Sequence, residues 1–150
     1  MHRQTLSLSL CVVLLVVAAG CGRKTDTGGT TGTTGTTGTT TVKVTDVKLG
    51  RAIGGDKAIS DSTDKFGPND TIYASVTTDG SAPSTTLRAK WTFEDGQTVD
   101  ESSRTIAPNN HERTEFHISK PGGWPAGKYK LEVFLDNQSV ETKDFEIRGS

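Results

Sequence analysis

Cysteine is nearly absent from this sequence, which has two cysteines in 150 residues. Cys11 lies in an apolar stretch near the N-terminus, and Cys21 follows the end of that stretch. No cysteine follows Cys21, so a domain built from the rest of the chain contains neither a disulfide nor a free thiol. This excludes cysteine nucleophiles and thiolate metal sites there. The fold must be stabilised by its hydrophobic core alone.

A long apolar run is also absent. The N-terminal stretch of apolar and small residues extends from Leu6 to Ala19, whereas a membrane-spanning helix needs roughly 20 predominantly apolar residues. His2 and Arg3 precede this stretch. A basic start followed by a short apolar segment is typical of a signal peptide.

An excess of positive charge is missing as well. Without Arg3, the chain keeps sixteen basic residues against eighteen acidic ones, so no basic surface is available to capture phosphates. Gly122-Gly123 is followed by Trp124-Pro125 rather than by a helix, which argues against a phosphate-binding loop. We therefore expect no nucleic-acid partner.

The apolar stretch ends in Val17-Ala18-Ala19-Gly20-Cys21. This ending resembles the signal of bacterial lipoproteins, in which small residues precede a cysteine that is lipidated and becomes the new N-terminus. The resemblance implies that residues 1–20 are removed by cleavage between Gly20 and Cys21, and that Cys21 carries acyl chains such as palmitate. Ala18 departs from the family, which usually has a branched apolar residue there. An ordinary secretory signal peptide is the alternative.

Lipidation of Cys21 would place the protein in the bacterial cell envelope. Two or three acyl chains on one residue anchor a protein firmly, because each buried methylene contributes roughly 0.8 kcal/mol. In Gram-negative members of the family, an Asp after the cysteine retains the protein in the inner membrane. Gly22 occupies that position here, which implies the outer membrane if the host is Gram-negative.

Residues 21–41 are predicted to form a tether. From Thr25 to Thr41 the chain has eleven Thr, five Gly and one Asp, and Gly-Thr-Thr occurs four times in succession. Such small side chains cannot bury enough apolar surface to offset the entropy of ordering, so we expect disorder. A flexible coil of about twenty residues has a root-mean-square span of about 25 Å. That span would hold a domain clear of lipid headgroups.

Residues 42–150 are predicted to form one all-β domain. Apolar and polar residues alternate from Val42 onwards, most clearly at Leu87, Ala89, Trp91 and Phe93, and helical periodicity is missing. About seven short strands separated by turns indicate a two-sheet sandwich. Hairpin turns are expected at Asp95-Gly96 and at Asp136-Asn137-Gln138. The predicted strands run from Val42 towards Ile53, over Thr71–Thr77, Leu87–Glu94, Gln97–Ile106, through Phe116 and Ile118, and over Lys128–Leu135 and Ser139–Ile147, with Gln97–Ile106 at an edge.

Two features of this domain resemble the immunoglobulin-like and fibronectin-III-like sandwiches. Trp91 is central in the third predicted strand, and Pro125-Ala126-Gly127-Lys128-Tyr129 looks like the turn into the penultimate strand. The resemblance implies that Trp91 packs between the sheets. It also implies that the hydroxyl of Tyr129 bonds back to the backbone of the preceding turn.

Three groups of polar residues are candidates for chemical sites. An aspartate-rich loop could supply calcium ligands but lacks the spacing of a known calcium loop, so a solvated surface loop is expected. Four carboxylates around a hairpin could form a glycosidase pair, but a turn would not desolvate them. Two histidines without a third ligand do not predict zinc. We expect neither a cofactor nor a metal, and an enzyme is only a third hypothesis. These groups are Asp56, Asp61, Asp64, Asn69 and Asp70; Glu94, Asp95, Asp100 and Glu101; and His111 and His117.

Three aromatic residues are the remaining candidates for binding. Tyr73 and Phe134 lie opposite the main apolar face of their predicted strands, and Trp124 lies in a turn. Exposed rings could anchor a protein partner or stack on sugars, although strands of a sandwich are often partly buried on both sides. The leading hypothesis is a lipid-anchored, non-catalytic module that contacts another envelope protein. A carbohydrate-binding module for envelope polysaccharide is the alternative.

Overall fold

The computed structural model describes residues 41–149, and these residues form eight β-strands without any helix among them. Gly20, Cys21 and the tether up to Thr40 lie outside the described residues, so their predicted roles stay predictions. The strands are β1 (Lys43–Gly50), β2 (Lys65–Phe66), β3 (Ile72–Asp79), β4 (Thr85–Phe93), β5 (Gln97–Ile106), β6 (Glu112–Ile118), β7 (Gly127–Leu135) and β8 (Gln138–Ile147).

The strands form two sheets that face each other in an immunoglobulin-like sandwich. One sheet has three strands in the order β1-β3-β6, and the other has five in the order β2-β8-β7-β4-β5. All neighbouring strands are antiparallel except β2, which runs parallel to β8. The chain crosses between the sheets several times, as a Greek key does. The predicted all-β sandwich is confirmed, with eight strands in place of about seven.

The core consists of the inward faces of both sheets. Alternate residues of β3 and β4 are fully buried, as period-two strands with one face on the core require. Trp91 lies at the centre with no exposed surface, and its ring meets that of Phe145 edge-on at 5.8 Å between centroids. The buried alternate residues are Ile72, Ala74 and Val76 on β3 and Leu87, Ala89 and Trp91 on β4.

The predicted tyrosine corner is present. The hydroxyl of Tyr129 donates to the carbonyl oxygen of Pro125 at 2.9 Å, and Tyr129 is buried. Burial raises the pKa of the Tyr129 hydroxyl, and the nearby carboxylate of Glu94 raises it further. The bond joins the start of β7 to the turn before it and fixes the position of the Tyr129 ring.

Both predicted hairpin turns are present. Gly96 has φ of 95°, and Asp136 and Asn137 have φ of 47° and 69°, which is the left-handed region that these residue types tolerate. The carboxylate of Asp136 accepts hydrogen bonds from the Thr85 hydroxyl at 2.7 Å and from the Thr86 backbone N–H at 2.8 Å. These two bonds hold the pKa of Asp136 below its ordinary value.

The segment between β1 and β3 corrects one expectation. The sequence predicts a solvated surface loop here, yet Phe66 within it is 1% exposed and belongs to the core. Phe66 lies in β2, where the backbone N–H of Arg148 donates to its carbonyl at 2.9 Å. Two residues are too few to show a strand periodicity, which is why the pattern missed this strand.

Candidate functional site

Strand β5 forms one edge of the five-stranded sheet and pairs only with β4. The residues of β5 on the core-facing side, Asp100, Ser102 and Arg104, lie opposite Trp91, Ala89 and Leu87 of β4. Asp100 and Arg104 are nevertheless exposed, and Ser102 is only half-buried. Strand β5 is therefore only loosely covered by the three-stranded sheet, where Arg104 reaches the carbonyl of Glu115 on β6.

A β-bulge interrupts this edge. Trp91 pairs with Asp100 and Thr92 pairs with Thr98, so Val99 is an extra residue on β5. Val140 is likewise the extra residue in the pairing of β7 with β8. These two valines are the exposed large hydrophobic residues in the described part of the chain, at 36% and 39% exposure. Bulges bend an edge and limit uncontrolled strand pairing.

An open cleft of about 590 Å³ lies between the first half of β5 and the end of β6 with the segment that follows it. We call it the β5–β6 cleft. It is lined by the rings of Phe93, Trp124 and Tyr129 and by polar side chains on either side. The polar residues with the longest reach are Gln97, Asp100, His117 and Lys120. A cleft that combines aromatic residues with convergent polar groups can serve as a binding site.

The aromatic residues of the cleft are held in place by the surrounding structure. The Nε1–H of Trp124 donates to the carbonyl of Asp70 at 3.1 Å, and its backbone N–H donates to the carbonyl of Pro68 at 2.7 Å. The ring of Tyr129 lies 4.7 Å from that of Phe93 and 6.1 Å from that of Trp124. Because these rings are fixed before any partner arrives, binding would require little ordering of side chains.

The rim of the cleft has charges of both signs. The Nζ of Lys120 lies 5.9 Å from the centre of the Trp124 ring, and Lys120 is exposed. The Nδ1 of His117 lies 2.8 Å from a carboxylate oxygen of Glu115. Asp100 stands on the opposite side, on β5. The rim therefore offers a carboxylate, an imidazole and an ammonium group beside the aromatic residues of the cleft.

Among the described residues, the cleft holds a serine and a histidine without the hydrogen bond that would activate a serine nucleophile. Ser119 and His117 both line it, and Glu115 contacts the His117 ring as the third member of a catalytic triad would. Within residues 41–149, however, no hydrogen bond joins Ser119 to His117, and the side chain of His117 is 50% exposed. A nucleophile needs its base within hydrogen-bond reach.

The three aromatic residues predicted as binding candidates do not form one surface. Tyr73 is half-buried on the outer face of the three-stranded sheet, with its ring 5.5 Å from that of His117. Phe134 is half-buried on the outer face of the five-stranded sheet, where the guanidinium of Arg88 lies 3.8 Å from its centre. Trp124 is 7% exposed and belongs to the core. Of the three, Trp124 alone lines the cleft.

The aspartates between β1 and β3 stabilise the local fold. Asp70 accepts hydrogen bonds from the backbone N–H of Gly67 and from Nε of Arg51, each at 2.8 Å. The Gly67 bond, supported by the Arg51 guanidinium, holds the pKa of Asp70 below its ordinary value. Arg51 also lies 3.5 Å from Asp61 and donates to the carbonyl of Lys65. Arg51 thus connects three parts of this segment.

The other polar candidates are dispersed. Glu94, Asp95, Asp100 and Glu101 are all exposed, and Glu101 lies 3.2 Å from Arg88. His111 is exposed, away from His117. Residues 41–149 contain no group of three or more His, Cys, Asp or Glu side chains arranged to hold a metal ion. The same residues include no helix of the length and apolarity needed to cross a membrane.

The sequence does not predict the cleft, because Phe93 and the segment with Lys120 and Pro121 are distant in the chain and only the fold brings them together. The available indications were the loop Gly122-Gly123-Trp124-Pro125, which places a large ring among turn residues, and the polar strand β5 beside it. Neither indication predicts a cleft without the three-dimensional structure.

Comparison with known proteins shows likeness of fold and no family. No protein-family model and no curated protein matches the sequence. Similar solved structures include an immunoglobulin-like protein from Pseudomonas aeruginosa, with 16% identity over 72% of this chain and 97% of that one and a TM-score of 0.47. A CARDB domain from Pyrococcus furiosus, in complex with di-metal ions, has 16% identity over 74% and 89% and a TM-score of 0.45.

A third similar structure is a larger protein. It is the alkylpurine DNA glycosylase AlkC of Pseudomonas fluorescens bound to DNA containing an abasic site analog. The identity is 15% over 71% of this chain, with a TM-score of 0.43, and the match covers 30% of the glycosylase. At this level of similarity no statement about function follows from the three structures.

Proposed function

We propose that this protein is a bacterial envelope lipoprotein, anchored through Cys21, whose immunoglobulin-like domain binds another envelope protein without catalysing a reaction. The observation that carries the proposal is the β5–β6 cleft. It combines fixed aromatic side chains with a charged rim and lies beside a strand whose outer edge is unpaired. An extended segment of a partner could place an apolar side chain against the half-buried Phe93 while following the start of β5, as strand-addition complexes do.

The predicted anchor and tether suit such weak, local contacts. A domain confined to one membrane meets its partners at a raised effective concentration, which strengthens binding without any new contact. The spacer expected over residues 21–41 would let the cleft turn towards proteins of the envelope. The proposed function therefore gives a role to the predicted anchor at Cys21, to the predicted tether and to the domain that carries the cleft.

The absence of catalysis is supported by the exposure of the polar groups. Catalytic acids and bases need a desolvated or specifically paired setting that adjusts their pKa. Glu94, Asp95, Asp100 and Glu101 are exposed on a turn and an edge strand. No hydrogen bond activates Ser119 in the described part of the chain.

Saccharide binding is the second candidate, and one observation favours it. Phe93 is half-buried at the cleft, beside Tyr129 and near polar groups that could bond to hydroxyls. An aromatic ring next to polar side chains can support a sugar. The buried state of Trp124 leaves little ring surface for stacking, so we place a protein partner first.

Recovery of the tagged full-length protein from cross-linked cells tests the proposal. We expect one defined envelope protein to be recovered with the wild type. Lys120→Glu, which reverses the charge at the cleft rim, should lower its yield roughly tenfold. Cys21→Ser should move the protein out of the membrane fraction and lower recovery as well, because the anchor concentrates it.

Lys130→Glu is the matched control. Lys130 is an exposed lysine of β7, and its contact with Asp144 is 3.9 Å long. This variant makes the same charge change away from the cleft and should recover the partner normally. Equal losses with Lys120→Glu and Lys130→Glu would contradict a role for the cleft. Recovery of polysaccharide in place of a protein would support the second candidate.

A further inference from the structure

Two charges on β5 lack an ionic partner within residues 41–149. Glu101 pairs with Arg88 at 3.2 Å, but neither Asp100 nor Arg104 forms a salt bridge there. Arg104 donates through Nε to the carbonyl of Glu115 at 3.0 Å, and its guanidinium lies 5.7 Å from the centre of the Phe116 ring, yet the residue as a whole is exposed. Asp100 and Arg104 lie on the same face of β5, four residues apart, which is roughly 13 Å along a strand. They cannot pair with each other in one chain.

A second copy of the same strand can satisfy both charges. Opposite residues of an antiparallel pair lie on the same face of the sheet. If Ser102 faces Ser102 of the second copy, Asp100 faces Arg104 and Arg104 faces Asp100. Two symmetric ion pairs then flank the two-fold axis.

The neighbouring registers are less favourable. A shift that centres the pairing on Glu101 brings the two Glu101 carboxylates face to face, and like charges directly opposite are destabilising. A shift that centres it on Ser103 places Asp100 opposite Ile106 and Arg104 opposite Ser102. The charged residues of β5 therefore favour the register centred on Ser102. Charges on an edge strand also oppose pairing in other registers.

We infer that two copies of this protein associate through their β5 edges, antiparallel and centred on Ser102, to form one continuous ten-stranded sheet. The contact is isologous, as in most two-fold dimers. Space for the second copy exists because Asp100 and Arg104 stay exposed, although Arg104 also reaches the carbonyl of Glu115 on β6. The bulge at Val99 confines regular pairing to the part of the strand from Asp100 onwards.

This inference uses β5 from Asp100 onwards, whereas a partner in the cleft would follow the start of the strand, where Gln97, Thr98 and Val99 line the cleft. The dimer therefore does not require the partner proposed for the cleft. Lys120 lies outside β5, so Lys120→Glu should weaken binding of the cleft partner without changing the β5 dimer. If the protein is membrane-anchored as proposed, the dimer also gains from confinement of both copies to one surface. Failure of the cleft experiment would leave the dimer unaffected.

Disulfide trapping in the full-length protein tests the register. In an antiparallel pair, residues that face each other have Cα atoms about 4.5–5.5 Å apart, which a disulfide can bridge. Ser102→Cys should therefore form a covalent dimer on mild oxidation of cells, detected on a non-reducing gel. Thr105→Cys is the control, since its two copies would lie roughly 20 Å apart along the strands. The unsubstituted chain shows any cross-link through Cys11 or Cys21.

We expect at least a fivefold higher dimer yield with Ser102→Cys than with Thr105→Cys. Adding Asp100→Arg to Ser102→Cys should lower the yield severalfold, because Arg would face Arg104. Adding Arg104→Asp as well should restore it, which also shows that the substituted chains fold. Equal yields for Ser102→Cys and Thr105→Cys would overturn the inference. The inference would also be overturned if Asp100→Arg left the yield of the Ser102→Cys dimer unchanged, or if Arg104→Asp did not restore that yield.

Discussion

Replacement of Phe66 by alanine is expected to lower the free energy of unfolding by about 3–5 kcal/mol. Phe66 is 1% exposed, and its ring meets that of Phe145 edge-on at 5.6 Å. Truncation would remove this contact and leave a cavity that the rigid sheet edge cannot fill. Such a loss is a large part of the roughly 5–15 kcal/mol that stabilises a typical domain. Urea unfolding followed by tryptophan fluorescence measures it.

Val99→Ala is the matched control for Phe66→Ala. Val99 is an apolar residue at 36% exposure on a bulge, and its truncation should cost less than about 0.5 kcal/mol. If both variants unfold at the same urea concentration, the short strand β2 does not belong to the core, and the solvated loop expected from the sequence would be the better description.

Trp91→Ala is expected to cost a similar amount, about 3–5 kcal/mol, because the side chain is fully buried at the centre of the sandwich. Trp91→Phe should cost much less. The Nε1–H of Trp91 is buried and has no hydrogen-bond partner within residues 41–149, so phenylalanine removes a polar group that gains nothing from folding. Thermal unfolding of the two variants beside wild type gives the comparison.

The difference in stability between Trp91→Phe and Trp91→Ala shows whether the ring or the indole nitrogen matters. If the ring acts through apolar packing, phenylalanine keeps the edge-on contact with Phe145 and much of the stability. Equal destabilisation by Phe and Ala would show that the indole nitrogen is essential, contrary to the packing described here.

The sequence predicted the long core strands well because they show a clear alternation, whereas the polar strand β5 was predicted as the strand that follows the Asp95-Gly96 turn. Strand β5 runs from Gln97 to Ile106 as predicted, at the predicted edge. Its polar composition indicated the edge, since a central strand needs at least one apolar face. Strand β2 was missed because Lys65 and Phe66 lie among polar residues, and a single buried ring gives no periodicity.

The candidate site was less predictable than the fold. The alternation of apolar and polar residues correctly placed Tyr73 and Phe134 opposite the apolar faces of their strands. This alternation does not show which sheet each strand joins. The structure has them on the outer faces of different sheets. The cleft depends on contacts between distant segments, such as the bond from Trp124 to Asp70, and local patterns carry no information about those.

The central claim is that the β5–β6 cleft binds a partner in the envelope. The most direct measurement is photo-cross-linking in living cells, with a photoreactive amino acid at position 120 of the full-length protein and, separately, at position 130. The account predicts that position 120 cross-links to one defined envelope protein and that position 130 does not. An absence of any cross-linked protein at position 120, or the same products from both positions, would contradict it.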